Sequence, residues 1–297
     1  MRQLKHSQNF VKNQALLESI IKNSSICNKG LVFDLGAGHG EITKVLRRYS
    51  KEVVAIEKDK KLYNELLNHF GLASNVKVIN QDILKYNFPA DRNYKIFSNI
   101  PFNYTADIIR KLSGQKHLAD DTYLFAQKQA TLNYLGLPKV KESLKSLFIK
   151  SKFNPSVFYR FSRNDFKPSP RVEVVLLRLE KIANPLISTN NDIEWKNFVV
   201  YGFSQSKPSL KKSFKHIFTD KQFLRLSKDL KFDIKSKPSD LSVNQWLGIY
   251  NFFRDNVEMN KKSLIKNYYQ SLIKQQGRLD KIFRTRTDRE WRKNSHK

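Results

Sequence analysis

The stretch LVFDLGAGHGE, residues 31–41, joins an apolar run to three glycines at alternate positions and then to an acid that opens an amphipathic segment. It reads as a buried strand, a tight loop and the start of a helix. Outward from it the same rhythm repeats. EVVAIE (52–57) is followed by a helical period from Lys60, and VKVINQD, YKIFSNIP and TYLFAQ end at Asp82, Pro101 and Gln127. Short apolar runs alternating with longer amphipathic ones are the signature of βαβ units, whose strands lie parallel and are covered by helices. SVFYRF and VEVVLLRLE, flanking Phe166 to Arg171, are expected to close the sheet with an antiparallel, hairpin-like edge. The fold class is α/β, a Rossmann-like sheet with a small C-terminal helical domain.

Near Pro185 the strand signals stop and lysine-rich helical periods take over, as in IEWKNFVVYGFSQ and VNQWLGIYNFF. The expected division is residues 1–184 for the sheet domain, 185–255 for a helical unit that meets a partner, and 256–297 for a basic tail with little apolar material to anchor it. The tail is read with equal weight as a nucleic-acid contact or as a solvated extension.

Composition narrows the partner. Against 27 Asp and Glu stand 55 Lys and Arg, a formal charge of +28, which exceeds what solubility needs and has the sign that attracts phosphate. The single Cys27 supplies neither an intrachain disulfide nor a multi-thiolate metal site, so a reducing compartment, the cytoplasm, and a chemistry without metal are expected. No apolar run is long enough for a signal sequence or a membrane helix.

The glycine spacing is G-x-G-x-G followed by Glu41, not the G-x-G-x-x-G that delivers a pyrophosphate to a helix N-terminus, and an acid at Glu41 would repel that phosphate. Glu57, at the end of the second strand, stands where a carboxylate accepts from both hydroxyls of a ribose, which NAD and S-adenosylmethionine share. Asp82, after the third strand, is placed to accept from an adenine amino group, with Ile83 against the ring. Each acid alone is equally well an ordinary strand-end cap.

Asn99-Ile100-Pro101-Phe102 ends the fourth strand. The pattern suits a planar amine such as the N6 of adenine, whose lone pair is delocalised into the ring until acceptors hold its hydrogens. The Asn99 side-chain oxygen and the Ile100 carbonyl are the candidate acceptors, Pro101 stiffens the turn, and Phe102 offers a stacking face. Without the glycine loop the same residues would read as a strand-ending turn with a core Phe.

At these residues the chain resembles the Erm-type macrolide-resistance methyltransferases, within the ribosomal RNA adenine N6-dimethyltransferases. The resemblance rests on Gln8-Asn9-Phe10, the DLGAGHGE loop, Glu57, Gln81-Asp82, Asn99 to Phe102, and Phe166 to Val172, and covers roughly residues 3–254. It implies S-adenosylmethionine as cofactor. Asn9 and the backbone near Val11 would contact its methionine part, Gly36 would line its loop, and Glu57, Asp82 and Asn99 would complete the pocket. Phe166 would sandwich a flipped adenine opposite Phe102. The family more often has Tyr at Phe102 and Glu at Asp34, and loss of the phenol hydroxyl bears on how many methyl groups are transferred.

Ile100, where small-subunit enzymes usually have Leu, resembles the branch acting on 23S rRNA, which gives resistance to macrolide-lincosamide-streptogramin B antibiotics. The alternatives are a 16S rRNA dimethyltransferase of ribosome biogenesis and a non-catalytic RNA-binding relative; a dinucleotide oxidoreductase fits neither the glycine spacing nor the charge. Candidate RNA contacts are Lys128, Lys167, Arg171, Lys207, Lys211, Lys212 and, in the tail, Arg284, Arg286 and Arg289. A monomer is the default.

Overall fold

Glu52–Glu57 pairs in parallel with Leu31–Leu35, in the register Leu31↔Glu52 to Leu35↔Ile56, so the glycines after Leu35 emerge beside Glu57. The computed structural model describes residues 10–26, 30–136, 141–205 and 207–278. In chain order the strands are β1 (Phe10–Val11), β2 (Leu31–Leu35), β3 (Glu52–Glu57), β4 (Val76–Asn80), β5 (Tyr94–Ser98), β6 (Asp121–Gln127), β7 (Phe153–Arg160), β8 (Phe166–Lys167) and β9 (Val174–Lys181). The main sheet has the order β4-β3-β2-β5-β6-β9-β7, parallel through β6 and antiparallel over its last two pairings. The expected antiparallel edge is therefore present, with β9 inserted between β6 and β7. Between these two edge strands the chain makes β8, which pairs with β1 as a separate two-stranded ribbon.

Helices α1 (Gln14–Lys22), α2 (Glu41–Tyr49), α3 (Lys60–Phe70), α4 (Thr105–Ser113), α5 (Lys128–Leu135) and α6 (Leu144–Lys150) accompany the sheet. Strand alternation divides the core in two. Leu31, Phe33, Leu35, Ile96, Leu124 and Ala126 join α4 and α6 on one face, whereas Val32, Phe97, Tyr123 and Phe125 join α1 and α2 on the other. The central strands β2, β3 and β6 are buried almost throughout, as expected of strands covered on both faces.

From Asp192 the chain is helical: α7 (Asp192–Ser204), α8 (Leu210–Ser213), α9 (Asp220–Asp229), α10 (Val243–Asn256), α11 (Met259–Ser263) and α12 (Tyr268–Arg278). Their core is aromatic, built on Trp195, Phe198, Phe214, Trp246, Tyr250 and Phe253. Gly202 is required there, because a Cβ would stand 2.6 Å from the Trp246 ring. Ser209, Thr219 and Ser242 each cap a helix through the side chain, which fixes where α8, α9 and α10 begin.

The described part of the expected tail, residues 256–278, differs from the expectation of weak anchoring. Val257 and Ile265 are buried in the helical core, and the Tyr269 N–H donates to Asn197 Oδ1 at 2.9 Å. The aromatic pairs Tyr201–Tyr268 and Phe148–Tyr269 bring α12 onto α7 and α6. Among the described residues no helix is long and apolar enough to cross a membrane.

Candidate active site

Gly36 and Ala37 both donate to the Ile56 carbonyl, at 2.8 and 3.2 Å, so β3 guides the loop past the end of β2. Gly36, Gly38 and Gly40 all have positive φ, at 68°, 59° and 87°, where side-chain-bearing residues are strained. Gly40 also caps α2 with its Cα pressed against α3: a Cβ would come within 2.6 Å of the Phe70 ring and 2.8 Å of Leu66. At Gly36 a Cβ would meet Ile100 at 3.6 Å and Ile83 at 3.7 Å. The loop, the residue after Asp82 and the residue after Asn99 thus converge on one small space.

Asp34 lies under the loop, fully buried, and accepts from Thr43 Oγ1 at 2.6 Å. Burial pushes its carboxyl up to about 7 against the Thr43 hydrogen bond, with the nearby Glu57 charge adding to the rise. Its other oxygen, Oδ1, has no hydrogen-bond partner among the described residues. In the sequence Asp34 stood out only as a departure from the family's residue; its burial depends on α2 closing over it.

Glu57 is 7% exposed, and each of its oxygens already accepts one backbone N–H, from Gly38 and from Asp59, both at 2.9 Å. A carboxylate has about four acceptor sites, so two remain on a group whose position is fixed. These free acceptor positions fit a ligand that donates from paired hydroxyls. Asp82 caps the following turn through the Leu84 N–H, and Lys58 Nζ reaches it at 2.8 Å. That Lys58 hydrogen bond, more than any other contact, holds the Asp82 carboxyl below its usual range. Lys58 went unmarked in the sequence, although parallel pairing of Glu57 with Asn80 necessarily brings residues 58 and 82 close.

The chain leaves β5 under restraint, because Ser98 Oγ donates to the Leu35 carbonyl at 2.5 Å. Ile100 is buried beside the glycine loop, and Pro101 precedes a short turn, Phe102–Tyr104, that leads into α4. Asn99 is partly buried, and Phe102 packs partly buried against the cluster containing Val11, Phe125 and Phe166. The structure thus gathers Gly36, Glu57, Asp82, Asn99, Ile100 and Phe102 at the C-terminal ends of the parallel strands, where open α/β sheets bind ligands.

Phe166, expected opposite Phe102, is enclosed in this structure. It is 1% exposed, its ring set edge-on to Phe161 at 5.3 Å and to Phe125 at 6.3 Å, so it offers no open stacking face here. Val11 pairs with it across the β1–β8 ribbon, and Lys12 N donates to the Asp165 carbonyl at 2.8 Å. Asn9 lies outside the described residues.

Among the cationic candidates, Lys128 is paired with Glu173 at 2.7 Å and Lys211 with Asp220 at 2.9 Å, which reduces what they can offer a phosphate. Lys167, Arg171, Lys207 and Lys212 are exposed. Lys207 lines a small pocket with Lys237, Ser213 and Ser239, so Lys237 is a neighbour that helical periodicity alone did not reveal. Arg284, Arg286 and Arg289 lie outside the described residues. No group of three or more His, Cys, Asp or Glu among the described residues is arranged to hold a metal.

A Rossmann-like sheet with a G-x-G-x-G loop, a strand-end acid bound to that loop and an Asn-Ile-Pro-Phe turn beside it defines an S-adenosylmethionine-dependent methyltransferase. More narrowly, the chain belongs to the ribosomal RNA adenine dimethylase family, whose profile matches residues 2–255, and it is an rRNA adenine N6-methyltransferase. It is 30% identical over 254 residues to an rRNA adenine N-6-methyltransferase of Escherichia coli, spanning 85% of this chain and 96% of that one. It is 28% identical over 244 residues to ribosomal RNA small subunit methyltransferase A of Mycoplasmopsis pulmonis, spanning 82% and 95%. In fold it is similar to the 23S rRNA methyltransferase ErmE, with TM-score 0.73 and 18% identity over 83% of this chain and 100% of that one. It is also similar to a dimethyladenosine transferase from Plasmodium falciparum, with TM-score 0.68 and 22% identity over 86% and 98%.

Proposed function

We propose that this enzyme dimethylates the N6 of an adenine in 23S rRNA and thereby gives resistance to macrolide-lincosamide-streptogramin B antibiotics. The observation that carries the reading is the turn Asn99 to Phe102, restrained by the Ser98–Leu35 hydrogen bond against the glycine loop. Ile100 within it supports the large-subunit target. The 28% identity to a small-subunit methyltransferase favours a second reading, a 16S rRNA target.

S-adenosylmethionine supplies an electrophilic methyl group on a sulfonium. Glu57 would hold the ribose hydroxyls, Asp82 the adenine amino group, and the backbone at Gly36 and Val11, with Asn9, the methionine part. Asn99 Oδ1 and the Ile100 carbonyl accept the two N6 hydrogens of the substrate base, which draws the nitrogen lone pair out of the ring and aims it. Phe102 stacks on the base, and its π face favours neighbouring positive charge. The amine proton becomes acidic only after the nitrogen is alkylated, so no strong base is needed and positioning supplies most of the rate. Phe166 would oppose Phe102 only once its packing with Phe161 loosens. Extrusion of the adenine costs least from an unpaired loop. Lys167, Arg171, Lys207, Lys212 and the cations Arg284, Arg286 and Arg289 would hold the RNA backbone, the enzyme acting as a monomer.

The test is incubation of the purified protein and radiolabelled S-adenosylmethionine with large- and small-subunit RNA separately, followed by digestion to nucleosides. N6-dimethyladenosine in large-subunit RNA supports the resistance reading. Label confined to small-subunit RNA replaces it with the second. No label in either, with cofactor bound, rejects both.

A further inference from the structure

The family match ends at residue 255, yet the next described residues form α11 and α12 and pack back onto the protein. One side of this extension is committed to packing. Lys196 Nζ lies 5.1 Å over the Tyr269 ring, and Leu272 and Ile273 face Phe148 and Ile149 across a cavity of about 860 Å³ that reaches α4. The extension therefore meets both the helical unit and the sheet domain.

Its other side is a run of unneutralised charge. Residues 259–278 carry Lys261, Lys262, Lys266, Lys274 and Arg278 and no Asp or Glu. None of these five is in an ion pair among the described residues; Lys262 donates instead to the Arg254 carbonyl, at 2.5 Å. Lys266, Lys274 and Arg278 are exposed, and the four-residue spacing of the last two sets them on one face of α12. A helix face that serves only solubility mixes the signs of its charges. α9 does so, with Arg225 paired to Asp229 at 3.4 Å and Asp220 in its first turn. The extension does not.

We propose that α11–α12 is an added phosphate-binding surface that lengthens the RNA footprint of this enzyme beyond that of the family's shared region. The proposal rests on the ribosomal RNA reading. Phosphodiester backbone is the occupant that a row of cations with no acid among residues 259–278 fits, and each contact displaces condensed counterions.

The test compares the full chain with the Lys266→Gln/Lys274→Gln/Arg278→Gln variant, binding whichever ribosomal RNA accepts label, across a salt series. The expected result is a log affinity against log salt slope shallower by roughly 0.7–0.9 per lost contact, with cofactor affinity and kcat at saturating RNA unchanged. An unchanged slope in a protein that still transfers label overturns this surface and leaves the enzyme reading intact. Absence of label transfer by the unaltered chain overturns the enzyme reading instead. Weakened binding to vesicles containing phosphatidylserine, with the RNA slope unchanged, would reassign the face to a membrane and overturn the proposal. Arg278→Gln alone, which touches no packing contact, guards against a folding artefact and is expected to give about a third of the effect.

Discussion

Lys152 Nζ lies 2.8 Å from Asp192 Oδ1 where the sheet domain meets α7, and both residues are more than nine-tenths buried. The same ammonium donates to the Ser113 carbonyl at the end of α4, at 3.0 Å, while Asp192 Oδ2 accepts from Lys196 at 2.7 Å. Desolvation pulls the Lys152 ammonium below its usual range, opposed by Asp192. One carboxylate thus balances two dry cations at the joint. Asp192→Ala strands both and is expected to destabilise by about 3–5 kcal/mol. Urea unfolding measures this, and a midpoint unmoved from the unaltered chain would show that the joint does not depend on the charge.

Asp34 makes stability fall as pH rises. Its folded value, about 7, stands above that of the unfolded chain, so between about pH 4 and 7 the folded state holds a proton that the unfolded chain releases. The contribution is fully present below that window and lost through it, up to about 4 kcal/mol at roughly 1.4 kcal/mol per unit. Asp34→Asn, which cannot ionise, should flatten that slope in denaturant midpoints taken from pH 4 to 8. An identical slope in the variant assigns the effect elsewhere.

Gly40→Ala combines a positive φ with a Cβ pressed into Phe70 and Leu66. Strain and overpacking together should cost roughly 2–4 kcal/mol. Cofactor affinity should fall with it, because the loop and α2 start at the same residue. Calorimetric melting and cofactor titration read the two effects; normal melting would mean that α3 yields.

Asn99→Ala should leave cofactor affinity within a few-fold and lower kcat by about 10²–10³, the cost of one well-placed acceptor. Titration of the cofactor and single-turnover methylation separate binding from chemistry. Retained turnover would remove Asn99 from the reaction.

The parallel strands were legible because each is a short apolar run bounded by polar or glycine punctuation, and the candidate residues fell at strand ends for the same reason. Glu57 was found through its place at the end of the second strand, after the glycine loop. What escaped depends on surroundings. Phe166 has the same sequence character whether it is an exposed platform or, as here, a ring enclosed by Phe161 and Phe125. Asp34 looks like any strand acid until Thr43 and α2 close over it. The extension was missed because Ile265, Tyr268 and Tyr269 anchor it through a few contacts on α7 and α6, too sparse to register as a helical period.

The docking of Tyr269 bears on modularity. In this chain a cut after residue 255 would bare Phe148 and Tyr201, withdraw the aromatic partner of Lys196 and leave the Asn197 amide oxygen without its N–H donor. The extension thus covers surface that the family region alone would expose, and the boundary of the family match is not a boundary of packing.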